Sequence, residues 1–167
     1  VASWAADAQY TRLVEQHGTA LLRLAVLLTG NRFDGEDALQ EALIRVAASW
    51  ERARPAKALA YLKRSVANEC FDLIRRRREI SVADVPDTPV HERRFLRHEE
   101  DQQFFALVDQ LPDRQRSTLI LRYFADLDDR SIAEILDCSP ETVRSQAHRG
   151  LEKLRIATAA TVTTGKD

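Results

Sequence analysis

The segment from Asp128 to Arg155, DDRSIAEILDCSPETVRSQAHRGLEKLR, is what most restricts the fold open to this chain. Asp128 can cap a short helix whose Ile132, Ala133 and Leu136 share one face, and Asp137, Cys138 and Ser139 then break the period. Ser139 is a second capping residue. Pro140 suits a first helical position, where its missing N–H would have had no partner, and Glu141 complements the positive end of the helix. Two capped helices joined by a tight turn outline a helix-turn-helix.

In the second of these helices Val143, Ala147, Leu151 and Leu154 recur at steps of four and three, which predicts one buried stripe. At about 100° per residue, Ser145 and Arg149 then point most directly outward, with Thr142 and Glu141 beside them and Arg144 and His148 on the flank. A major groove admits a helix of this size, and Arg, Ser, Thr and Gln side chains can bond base edges or phosphates there. A solvated surface helix carries the same residue types, so the capped turn is the more specific signal.

Overall charge gives no such pointer. The 167 residues sum to a formal charge of −1, which exerts no net pull toward a polyanion. Charge is sorted locally: a basic run from Arg75 to Arg78 is followed by Glu79, Asp84, Asp87, Glu92, Glu99, Glu100 and Asp101. With 44% hydrophobic residues the chain can build one medium core or two small ones, and two are expected.

Three amphipathic helices are legible before the motif. Tyr10, Leu13, Val14, His17, Leu21, Leu24 and Leu28 recur at three- and four-residue steps until Thr29-Gly30-Asn31 ends the pattern. Asp34 is expected to cap a second helix with Leu39, Leu43, Val46 and Trp50 along its stripe, while Asp37, Gln40, Glu41, Ile44 and Arg45 take other faces. After a break at 51–55, a third helix is expected from Ala56 to about Arg78, with Leu59, Leu62, Val66, Cys70 and Leu73 inward. Lys63, Arg64, Asn68, Asp72 and Arg75 are its more exposed residues. From Ile80 to about Arg97 there are Pro86, Pro89 and many charges without a sustained period, which reads as a linker. Phe104, Leu107, Val108 and Leu111 mark a further helix closed by Pro112, and Leu119, Ile120 and Tyr123 mark one over 114–124.

The expectation is therefore an all-α fold: two small helical domains joined by a flexible linker, the second containing the helix-turn-helix. Residues 1–79 form the first domain, 80–98 the linker, 99–158 the second domain and 159–167 a tail. The tail is short and polar-leaning, so no appended C-terminal domain is expected, and no leader is read at the other end. The apolar run Leu21 to Leu28 is too short to span a bilayer, so no membrane segment is expected and the protein should be soluble and cytoplasmic. Cys70 and Cys138 lie far apart and outside any metal-binding spacing. His17, His91, His98 and His148 show no ligand spacing, and no Gly-rich phosphate loop occurs, so no active site, metal or cofactor is expected.

The two halves resemble one known family. LPDRQRSTLILRYFADL followed by SIAEILDCSPETVRSQAHRGLEKLR is similar to region four of bacterial sigma factors, and DALQEALIRVAASW with AYLKRSVANECFDLIRRRR is similar to region two. Both occur in the expected order over about Tyr10 to Arg155, as in the compact extracytoplasmic-function (ECF) group of the sigma-70 family. The wording of LLTGNRFDGEDALQEAL is nearest to the SigE-type members common in actinobacteria.

The resemblance implies a protein that is not an enzyme: an alternative sigma factor that joins core RNA polymerase, reads the −35 and −10 promoter elements and helps open the duplex. It implies that Asp37, Gln40, Glu41 and Arg45 dock on the clamp helices of the largest polymerase subunit, while the second domain engages the flap of the second-largest. A charged face beside an apolar stripe suits such a contact, although alone it would read as a solvated surface. At the −10 element the resemblance places Lys63, Arg64, Asn68, Arg75, Arg76 and Arg78, the amide of Asn68 offering a donor and an acceptor to an unstacked base near the loop at 50–57. Tyr61 and Trp50 are candidates to stack on bases but are better placed for the core. At the −35 element it places Thr142, Arg144, Ser145, Gln146, His148 and Arg149. Relatives often carry a basic residue at Gln146 and Gly at Asp137, so one contact differs and Asp137 must take up a left-handed backbone, at a cost of ~1 kcal/mol. Anti-sigma proteins hold many relatives inactive, which makes one a further expected partner. The competing reading is a stand-alone dimeric helix-turn-helix regulator, but no dimerisation heptad or sensing domain is evident and it leaves the first domain unexplained.

Overall fold

Each element follows from a periodic stretch and the residues that stop it. The computed structural model describes residues 8–53, 57–80 and 99–164, which contain helices and no strand. In chain order these are α1 (Ala8–Thr29), α2 (Arg32–Ala53), α3 (Ala58–Ile80), α4 (Glu99–Val108), α5 (Asp113–Leu119), α6 (Asp129–Leu136) and α7 (Pro140–Thr164). A π-helical turn, Ile120–Phe124, extends α5. The chain divides into two compact units, Val1–Glu92 and Arg93–Asp167. Residues 81–98, most of the expected linker, lie outside the described residues, as do 54–56 of the expected loop.

In the first unit α1, α2 and α3 pack on one another pairwise. Gly30 ends α1 with φ +85°, its N–H donating to the Val26 carbonyl at 2.8 Å. Asn31, not Asp34, caps α2: its Oδ1 accepts the Asp34 N–H at 2.8 Å, and its Nδ2 donates to Asp34 Oδ2 at 2.7 Å. The first contact satisfies one of the free N–H groups at the helix start, and the second, between the two side chains, holds the cap in place. Asp34 is thereby free to sit buried and receive Arg77 of α3. This differs from the sequence expectation because a capping side chain must lie before the first helical turn, and α2 starts at Arg32.

The α2 stripe also differs. Ala38, Ala42, Val46 and Trp50 are buried, whereas Leu39 and Leu43 are half-buried. Small residues let α1 come close: a Cβ built on Gly35 would lie 2.8 Å from both the Val26 nitrogen and its Cγ2. Trp50 lies within α2, packed 5.2 Å from the Tyr10 ring, and Tyr10 donates its hydroxyl to the Leu43 carbonyl at 2.7 Å. Burial pushes the Tyr10 phenol above its ordinary range.

In the second unit α4, α5 and α6 each pack against α7. Phe105, Val108, Leu111, Leu119, Ile120, Leu121, Ile132, Ile135, Val143 and Ala147 form its core. Tyr123, expected inward, is 54% exposed instead. The π turn explains it: the Ala125 N–H reaches back five residues to the Ile120 carbonyl at 3.0 Å, shifting the register, so Phe124 takes the inward place and meets Phe105 edge-to-face at 5.4 Å. On α7, Leu151 is 42% exposed and Gly150 is buried in its stead. At about 100° per residue, Gly150 falls within the Val143–Ala147–Leu154 stripe and Leu151 falls off its edge.

Candidate nucleic-acid and polymerase interfaces

The helix-turn-helix is built as its caps dictate. Asp128 accepts the Ser131 N–H at 2.8 Å to start α6, and Ser139 Oγ accepts the Thr142 N–H at 3.1 Å to start α7. Between them Asp137 adopts φ 50°, ψ 60°, and the following Cys138 N–H closes on the Ala133 carbonyl at 3.0 Å. The Asp side chain tolerates this left-handed position that glycine occupies more cheaply.

The turn sets the outer face of α7. Arg144, Ser145, His148 and Arg149 are exposed, with Thr142 and Gln146 half-buried beside them. Because Gly150 replaces Leu151 in the buried stripe, His148 moves from the flank toward the centre of this face. Thr142 is held by Ser139, and Ser145 Oγ donates to the Thr142 carbonyl at 3.0 Å. Arg144 is the most constrained cation, its Nη2 donating to Glu141 Oε1 at 2.8 Å and its Nη1 lying 3.7 Å from Asp129 Oδ2. Glu141 is held below the ordinary carboxylate range by backbone and Ser139 hydrogen bonds, with Arg144 adding to them. Asp129 also receives Arg122 from the π turn, and that contact raises the Arg122 guanidinium. The sequence reading singled out neither Asp129 nor Arg122, since their meeting depends on how α6 packs on the π turn.

On α3 the buried Leu62, Val66, Glu69 and Cys70, with the half-buried Leu73 in line with them, leave Arg64, Asn68 and Arg75 pointing away from the core. Arg64, Asn68 and Lys63 are half-buried, less open than expected, and Lys63 lies nearer the core flank. Arg75, Arg76 and Arg78 are exposed. Arg75 pairs with Asp72, whose carbonyl also accepts from Arg76 Nε at 3.3 Å. Arg77 falls in line with the buried stripe and so turns back to Asp34. Trp50 is 2% exposed and Tyr61 is half-buried, which leaves Trp50 no surface for a base.

On α2, Asp37, Gln40 and Glu41 lie together on an exposed face. Ile44, placed off the stripe by the sequence, and Phe33, which the sequence did not single out, continue this face at either end in three- and four-residue steps and are 65% and 72% exposed. Exposed apolar residues beside charged and polar ones on one face suit a protein interface. Arg45 stands apart, because its Nη1 is 2.7 Å from the buried Oε1 of Glu69 and it serves to neutralise that carboxylate. No cluster of His, Cys, Asp and Glu that could hold a metal, and no helix long and apolar enough to cross a membrane, occurs among the described residues.

Comparison with known proteins gives a consistent picture. The family described as Sigma-70 region 2 matches residues 13–80, and that described as Sigma-70, region 4 matches residues 101–154. The ECF RNA polymerase sigma factor SigE of Mycolicibacterium smegmatis is 32% identical over 90% of this chain, which spans 62% of that protein's length. The RNA polymerase sigma-E factor of Streptomyces coelicolor is 30% identical, with 88% of this chain and 84% of that protein covered. Among solved structures, the sigma factor RpoE of Bartonella quintana, in complex with the anti-sigma factor NepR, shares the fold. Its TM-score is 0.62 at 22% identity, with 88% of this chain and 94% of that one covered.

Proposed function

The chain belongs to the sigma-70 family, as an ECF-type sigma factor that directs RNA polymerase to promoters, and we propose that its two units divide that work between named surfaces. Sigma factors bind core polymerase and promoter DNA, and the family is one of non-enzymatic initiation factors. The protein works beside polymerase in the cytoplasm.

The outer face of α7, with Thr142, Arg144, Ser145, Gln146, His148 and Arg149, reads the −35 element. The capped turn carries this assignment, since it aims α7 outward while burying Val143 and Ala147. A bidentate arginine–guanine pair there contributes roughly 1–3 kcal/mol of discrimination. At the −10 element Asn68 contacts an unstacked base, and Arg64, Arg75, Arg76 and Arg78 neutralise phosphates, with Lys63 at the margin. Arg77 is excluded from that set by its pairing with Asp34.

Docking on the clamp helices uses Asp37, Gln40 and Glu41 together with the exposed Phe33 and Ile44 at either end of the same face. Arg45 contributes indirectly, through Glu69. The second unit engages the flap. An anti-sigma protein that covers the α2 face would block docking, and the complex of the structurally similar sigma factor RpoE with the anti-sigma factor NepR motivates a search for one.

Run-off transcription with purified bacterial core polymerase, with and without this chain, on a library of promoter-bearing fragments tests the reading. Sequence-selective initiation that depends on the chain is expected. Tight, selective DNA binding by the chain alone without any initiation would favour a stand-alone regulator and overturn it.

A further inference from the structure

The basic face of α7 is not an open row of cations. Arg144 lies against two carboxylates, Glu141 one turn before it and Asp129 in the first turn of α6. The two contacts are unequal in character. Glu141 is 74% exposed and three residues away on the same helix, an arrangement that contributes little when solvated. Asp129 is 26% exposed and belongs to another helix, and its second oxygen is engaged by Arg122, itself 25% exposed. Arg122 sits in the π turn between the buried Leu121 and the inward Phe124. A chain of contacts therefore runs from the core of this unit through Arg122 and Asp129 to one guanidinium on the outer face of α7.

A guanidinium has five N–H donors in a rigid fork, so two carboxylate contacts still leave donors pointing outward. An untethered arginine beside DNA takes the nearest phosphate, which carries no sequence information. A tethered one has lost its rotamer freedom before binding and carries a partly neutralised charge. It gains less from phosphates and more from a base edge placed where the fork points.

We propose that Asp129 is a specificity-determining positioning residue, which holds Arg144 for a base edge in the upstream promoter element and away from the DNA backbone. This rests on the assignment of Arg144 to the DNA-reading face.

The test is selection of active promoters from a library randomised through the upstream element, using core polymerase reconstituted with the full chain or with its R144A, D129A, D129E and R144A/D129A variants. R144A should lose base preference at one or two adjacent positions. D129A should lose preference at the same positions, by about tenfold, and keep it elsewhere. Its binding should weaken more steeply with salt, by about one further counterion, as Arg144 turns to a phosphate. The double variant should lose no more than R144A, and D129E should restore most of the preference. Retention by D129A of the positions that R144A loses would overturn this inference and leave the assignment of Arg144 standing. A uniform loss at all positions with a lowered melting temperature would overturn it as well, by making Asp129 merely structural, and so would a D129E indistinguishable from D129A. An R144A without positional loss, in a holoenzyme that initiates normally, would overturn the assignment of Arg144 together with it.

Discussion

Among the described residues three glycines lie inside helices, and replacing each by alanine should give three different results. In a helix interior Gly→Ala alone stabilises by about 1 kcal/mol, through backbone entropy and propensity. Gly18 in α1 has nothing within 4 Å of an added Cβ, so G18A should realise most of that gain. At Gly35 the Cβ would lie 2.8 Å from the Val26 nitrogen and Cγ2, and 2.9 Å from its Cα. Carbon contacts are optimal at about 3.5–4.0 Å, so the overlap is well over half an ångström. Two of the three atoms are backbone, which no rotamer change can move, and relief requires α1 and α2 to separate. That loosens the contacts of Ala25, Leu28 and Ala38, and overpacking of this kind costs about 1–3 kcal/mol or more. Because backbone atoms cannot give way, the cost falls in the upper part of that range, about 2–3 kcal/mol, and after the propensity gain of about 1 kcal/mol G35A should lose about 1–2 kcal/mol. For a unit of this size that lowers the melting temperature of the first transition by about 4–16 °C. Gly150 is intermediate, since its Cβ would press on Leu119 side-chain atoms at 3.0 and 3.3 Å, which can shift. Its net effect should be within about 1 kcal/mol of zero and confined to the second unit. Thermal and urea unfolding of the full chain, followed by circular dichroism, reads all three. A G35A as stable as G18A would refute the close α1–α2 approach from which the magnitude is worked.

Four further outcomes follow from other residues. R149A should weaken −35 recognition by about tenfold with little loss of core binding, and E41K should impair core binding first; promoter binding and core pull-down measured on both variants check this, and equal losses of both activities would contradict the division of labour. Replacing the exposed Ile44 by Glu should weaken core binding without lowering the melting temperature, because the side chain contributes little to the core of its own unit. D137G should raise the stability of the second unit by about 0.5–1 kcal/mol in urea unfolding, through relief of the left-handed backbone at φ 50°. Thiol alkylation followed by mass spectrometry should modify the half-buried Cys138 first and spare Cys70 until unfolding, since burial pushes the Cys70 thiol far above its ordinary range.

The sequence determined by itself what depends on near neighbours along the chain. Helical periods, the caps Asp128 and Ser139, the left-handed Asp137 and the outward set on α7 are all legible, because caps and turns are made by residues within four positions of each other. The exposed run Asp37, Gln40 and Glu41 is legible for the same reason. Where a stripe admitted two readings, pattern chose the larger residue: Leu39 and Leu43 over Ala38 and Ala42, Leu151 over Gly150. Close helix packing favours the smaller one, and how near two helices come is a property of the pair. The same limit hid Phe33 and Ile44, which periodicity marks as off the stripe without saying that nothing in their own unit covers them. It also hid the contacts that join distant positions: Asp34 with Arg77, Arg45 with Glu69, and Asp129 with Arg122 and Arg144. A charged side chain finds its partner only after the backbone has brought the two within a few ångströms. Which arginines remain available to DNA, and which are already engaged in holding the fold, was therefore decided by tertiary structure alone.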